Sequence, residues 1–274
     1  MNLPIKISHL SNFLFFAQQK DKYFDSKIGI SFYGNDEKDI WKQIEKSTGR
    51  QNAKRIKKDL TALKLAFSLH WAKSSQQLLL WKNYFQNNQR LFRQVIIEIK
   101  KLSGAKKFSV SKIPIYLISN PSNKYKEIEA WFSWTPKESF IVVEIPSDIK
   151  VPNNFFPLSV LVHEFFHLML RKNKNLFSKI DEIAKQNEKL FTKLSEGMPS
   201  RLFLEELLIS SFIPEGYLSE EFFHTKIVSV TKPKYLLAWR KFVAYKLYQI
   251  AKQYTDNQKP INEKYLKDLV DIIK

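Results

Sequence analysis

Residues 160–170 read VLVHEFFHLML, and wound into a helix they are apolar on nearly every side. A helix without a polar face belongs in the interior, with other elements packed around it. This one nevertheless carries His163, Glu164 and His167. Ionisable groups are costly to bury unless something satisfies them. A fold for this chain must therefore surround the helix and give those three side chains a partner.

Their spacing supplies a reason. Residues four apart on a helix lie on one face, one turn above the other. His163 and His167 can so reach a single metal ion. Glu164, rotated about 100° from His163, flanks the ion and can accept a proton from water activated there. This is the HExxH arrangement. With five histidines in the chain, an accidental match has a chance of roughly 0.006. The chain has no cysteine, which excludes thiolate ligands, thiol nucleophiles and a disulfide framework. A catalytic zinc takes three protein ligands and keeps one position open. The residues after His167 read LMLRKNKN, without the glycine and third histidine of HExxHxxGxxH. The third donor is then a carboxylate on a later helix, or His224.

The stretch PSRLFLEELLISSFIP holds Glu205 and Glu206 among Leu202, Phe203, Leu204, Leu207, Leu208 and Ile209. Two carboxylates in so apolar a helix are not both solvent-facing. Over about residues 110–220 the chain resembles the gluzincins, the thermolysin-like zinc metallopeptidases with HExxH on one helix and a glutamate ligand on a later one. In the thermolysin-type pattern an aspartate four residues after that glutamate supports a ligand histidine. Here the resemblance implies Glu206 as the ligand, with Ser210 in the aspartate slot. Glu205 is the alternative, and Glu196 in SEGMPS an outside one. The resemblance further implies one Zn2+ per chain and a peptide or protein substrate. Glu164 would serve as general base, and an oxyanion-stabilising Tyr217 or His224 would come from the C-terminal part. It also implies a strand at Ser139–Ile145 that lines the cleft and pairs with extended substrate.

The surroundings read as α+β, mostly helical. Apolar residues recur at helical spacing through 37–100, and Gly104 marks a stop. Segments 112–119, 129–134 and 139–146 are rich in β-branched and aromatic residues, and read as a small antiparallel or mixed sheet against the zinc helix. Turns are expected at Asn120–Asn123 and Thr135–Lys137. Trp131 and Trp134 are core aromatics or a substrate wall. Further helices are expected from Pro157 to Lys172, over 176–194, from Pro199 to Ile213, from Thr231–Pro233 to about Tyr254, and after Pro260. The chain divides into a helical region, 1–105, and a metallopeptidase-like region, 106–274.

No apolar run reaches the roughly 18–20 residues of a membrane span. The apolar patch at 10–17 lacks a basic n-region and a cleavage site, so it reads as folded, and the expected location is cytoplasmic. The six glycines form no phosphate-binding pattern. The net charge of +18 favours anionic partners. The lysines are scattered rather than massed, so no specific nucleic acid is expected. Two other readings compete with the peptidase. One is a basic helical protein, with a structural or vestigial metal site, that binds nucleic acid or a membrane surface. The other is a zinc hydrolase of non-peptide amides or esters.

Overall fold

The computed structural model describes residues 3–28, 33, 36–122, 127–134, 139–231 and 233–274. Its elements run β1 (Ile5–Lys6), α1 (His9–Lys20), α2 (Lys22–Ile28), α3 (Glu37–Thr48), α4 (Arg50–Asp59), α5 (Lys64–Asn87), α6 (Gln89–Ser103), β2 (Ile115–Asn120), β3 (Glu129–Trp134) and β4 (Ser139–Pro146). Eight helices follow: α7 (Phe156–Lys172), α8 (Lys174–Gln186), α9 (Glu188–Leu194), α10 (Ser200–Ser210), α11 (Tyr217–Phe223), α12 (Leu236–Lys246), α13 (Tyr248–Asp256) and α14 (Glu263–Ile273). The fold is a mostly helical α+β arrangement with one small mixed sheet.

The sheet order is β1-β2-β4-β3. β1 pairs parallel with β2, and β2 pairs parallel with β4 in the register Ile115↔Ile141 to Asn120↔Pro146. Of the antiparallel or mixed sheet expected, the mixed one is found, and both of these pairs are parallel. The reason is visible in burial: all of β2 is buried, as is β4 from Ile141 onward. Unbroken apolar runs such as IYLI and FIVV suit parallel strands covered on both faces. The turn residues Asn123 and Thr135–Lys137 lie outside the described residues.

The chain forms two compact units, each drawing on separate parts of the sequence. The first comprises Met1–Asn87, Ser111–Trp131 and Phe140–Pro152. Its core joins α1, α3 and α4 to β2 and β4 through Leu14, Ile40, Ile44, Ile56, Ile118 and Val142. β1 reaches only Ile115 and Tyr116 of β2. Beyond it, the buried Asn12 of α1 takes the open ladder positions: its Nδ2 donates to Leu117 O, and its Oδ1 accepts from Ser119 N. Trp131 packs against this core, and its indole N–H donates to the buried Glu144.

The second unit comprises Asn88–Val110, Phe132–Ser139 and Asn153–Lys274. In these units α6 groups with α7, and β2 groups with the N-terminal helices. At the centre is α7, with 13 of its 17 residues buried. That burial requires neighbours on all sides, and α6, α8, α10 and α11 supply them. Pro157 occupies its first turn, and Arg171 and Lys172 its last, as helix-end chemistry favours. Asn173 then fixes three helix ends. Its Oδ1 caps α8 at Leu176 N, and its Nδ2 donates to Ser103 O at the end of α6. Gly104 beside it has φ +68°, a backbone that strains most side chains, and a Cβ there would meet Asn173 Nδ2 at 2.8 Å.

Three helical expectations need adjustment. The 176–194 helix is interrupted at Asn187, giving α8 and α9. The helix expected from Thr231 begins at Leu236 and is interrupted at Leu247. The one expected to run to Ile213 ends at Ser210, and a short α11 follows that the sequence reading does not contain. No described helix is long and apolar enough to cross a membrane.

Candidate metal centre

α7 presents His163 and His167 one turn apart, and α10 presents Glu206 to both. His163 Nε2 and His167 Nε2 are 3.1 Å apart. Glu206 Oε1 lies 3.0 Å from His167 Nε2, and Oε2 lies 3.3 Å from His163 Nε2. Among the described residues these three form the group that could hold a metal ion. Both histidines are buried, and Glu206 is nearly so.

The outer ring nitrogens fix the chemistry of the inner ones. His163 Nδ1 is 3.1 Å from Ile213 O, a carbonyl that only accepts, so Nδ1 carries the proton. His167 Nδ1 is 2.8 Å from Glu205 Oε1. Burial would raise the Glu205 carboxyl, but His167 and Arg171 hold it below its ordinary value, so it too accepts. In the neutral rings both Nε2 atoms are therefore bare lone pairs. They face each other and a carboxylate with no hydrogen between them, an arrangement that needs a positive species at its centre. Burial would lower the His167 value, yet Glu206 and Glu205 push it up to about 10. The pocket thus attracts a proton or a cation strongly. A tetrahedral ion with bonds of about 2.0–2.1 Å separates its donors by about 3.3 Å, close to the observed spacings. Two imidazoles and a carboxylate are also a donor set that suits zinc.

Glu164 is buried beside this group and makes no hydrogen bond to the described residues. Burial pushes its carboxyl up to about 7, against the pull of His163 and His167. A carboxyl with that value exchanges a proton readily near neutral pH.

The two glutamates weighed as ligands divide the work. Glu206 joins the histidines, and Glu205 orients His167 from behind. Ser210, in the aspartate slot, supports neither histidine and instead accepts from Arg240 Nε at 2.8 Å. Glu196 is exposed in the turn after α9, away from the group. Tyr217 is held by Glu221, Asp256 and Lys252, and His224 caps the end of α11. Among the described residues neither contacts the histidines. The strand expected to pair with substrate, Ser139–Ile145, is β4, which has β2 on one side and β3 on the other. Both its edges are taken, so it has no free ladder groups to offer.

Four further contributors lie outside the residues expected from sequence. Phe132 of β3 stacks on His167, with ring centroids 5.1 Å apart and planes 20° from parallel. Arg171 also lies over Phe132, 4.5 Å from its centroid. Arg240 of α12 brings Nη1 to 3.8 Å from Glu206 Oε2, while Glu215 holds its Nη2 at 3.0 Å. The Ile213 carbonyl depends on a tight loop. A Cβ on residue 216 would overlap the Ser211 carbonyl, so only Gly216 lets the chain return there. Only the loop carried a sequence cue, Gly216 two residues after Pro214.

No protein-family model matches the chain, and neither does any curated protein or any solved structure.

Proposed function

We propose that the chain is a zinc-dependent metallopeptidase of gluzincin type. The observation that carries this reading is the convergence of His163 Nε2, His167 Nε2 and Glu206 within 4.8 Å, with Glu164 next to them on the same helix. His163, His167 and Glu206 would hold the zinc. Bound there, zinc supplies Lewis-acid polarisation of a water and of a scissile carbonyl. Glu164 takes a proton from the attacking water and delivers it to the leaving amine. Glu205 and the Ile213 carbonyl hold the two imidazoles in the tautomer that leaves Nε2 free. Phe132 shields one face of His167 from water and so strengthens the electrostatics of the pocket.

The test is digestion of a peptide library by the purified protein and its Glu164→Gln variant. The wild type is expected to cleave peptides. The variant is expected to keep its zinc and lose at least about 100-fold in rate. A variant that cleaves as fast as the wild type contradicts the assigned role. A wild type that spares every peptide yet hydrolyses simple esters favours the non-peptide hydrolase.

A further inference from the structure

α5 is apolar on two opposite faces, and only one of them is used by the core. Phe67, Ser74, Leu78, Trp81 and Phe85 are buried on the first. On the opposite face Leu65, Leu69, Leu79 and Leu80 are 75%, 63%, 53% and 55% exposed. With Ala72 and Gln76 between them, these positions recur every three or four residues and form a stripe roughly 100° wide. From Leu65 to Leu80 it runs for about 22 Å of helix. Scattered surface leucines are ordinary, but two exposed pairs, Leu65 with Leu69 and Leu79 with Leu80, aligned on one helix face mark an interaction site.

The charges around the stripe identify its occupant. Lys64 and Lys82 lie along one rim and Lys73 along the other, by the helical angle per residue. No aspartate or glutamate occurs anywhere from Leu60 to Ile97. A second copy of α5 would bring lysine rims against lysine rims, with no acid to offset them. Nucleic acid would leave the leucines without apolar contacts. An apolar strip between cationic rims instead fits the boundary between anionic headgroups and acyl chains.

We propose that this face of α5 binds the surface of an anionic lipid membrane, lying in the plane of the interface. The leucines enter the acyl boundary and the lysines meet the headgroups. The inference does not rest on the metal centre, and it concerns the first unit alone.

The experiment is co-sedimentation of the full chain with phosphatidylcholine vesicles, with and without phosphatidylserine. Binding is expected only with phosphatidylserine, and it should weaken as salt is raised. A Leu65→Gln/Leu69→Gln/Leu79→Gln variant, altered only at exposed positions, is expected to lose at least about tenfold in partitioning. Its circular dichroism spectrum should match the wild type. If that variant fails to fold, Lys64→Gln/Lys73→Gln/Lys82→Gln is the second probe, with the same loss expected. Equal binding to pure phosphatidylcholine, or binding that neither variant weakens, overturns the proposal. So does a wild-type dimer that fails to bind vesicles and becomes monomeric in the leucine variant, since that assigns the stripe to a second copy.

Discussion

Glu205 Oε1 lies 2.8 Å from His167 Nδ1, so adjacent glutamates on one helix serve the two ends of the same imidazole. Glu206 meets its inner nitrogen, and Glu205 fixes which nitrogen carries the proton. Against burial, His167 and then Arg171, whose Nε is 3.5 Å from the same oxygen, hold the Glu205 carboxyl below its ordinary value. Glu205→Ala should therefore weaken zinc binding by about 10–100-fold without removing a ligand. Glu205→Gln, which can still accept from Nδ1, should fall between that variant and wild type. Competition against a chromogenic chelator measures this. Unchanged affinity in Glu205→Ala would show that the imidazole needs no such support.

Arg240 joins the His163, His167 and Glu206 group to Glu215. Its Nη2 is 3.0 Å from Glu215 Oε1, and its Nη1 faces Glu206. Arg240→Met strands the Glu215 carboxylate in a largely buried place. The expected loss is roughly 2–4 kcal/mol of stability, less than for a fully buried pair because the arginine is partly open to water. Adding Glu215→Gln should restore part of that loss, since the stranded charge is gone. Urea unfolding of the two single variants and the double variant measures the coupling. Losses that simply add would contradict the pairing.

The first unit should carry a pH signature of its own. Burial pushes Glu144 above its ordinary value of 4.5, against the hydrogen bonds from Trp131 and Asn120. A carboxyl raised in the folded state contributes stability that is full below its unfolded value and lost as pH rises through the folded one. The stability advantage of the wild type over Glu144→Gln should therefore shrink as pH rises from about 4.5. Thermal unfolding at stepped pH values tests this. A difference that stays constant with pH would mean that Glu144 titrates normally.

The ease of reading these elements from sequence followed how local their causes are. The helix around His163 was legible because burial and ligand spacing both sit within eleven residues. β3 and β4 were legible because β-branched and aromatic runs end at turn residues. The parallel pairing of β2 with β4 was not, because strand partners are chosen by a sheet assembled from distant segments. Glu205 and Glu206 were recognisable as two buried carboxylates. Which of them meets the inner nitrogens depends on how α10 is rotated against α7, and no local pattern encodes that rotation. Arg240 looks like any surface cation in LLAWRKFVAYK. Its place beside Glu206 follows from α12 packing on α10.

The central claim is tested most directly by metal analysis of the purified protein beside a His163→Ala variant, both prepared without chelators. The account predicts one zinc per wild-type chain and its loss from the variant, because only two of the three donors remain. A folded wild-type protein without stoichiometric metal, or a variant that keeps its zinc, would contradict it.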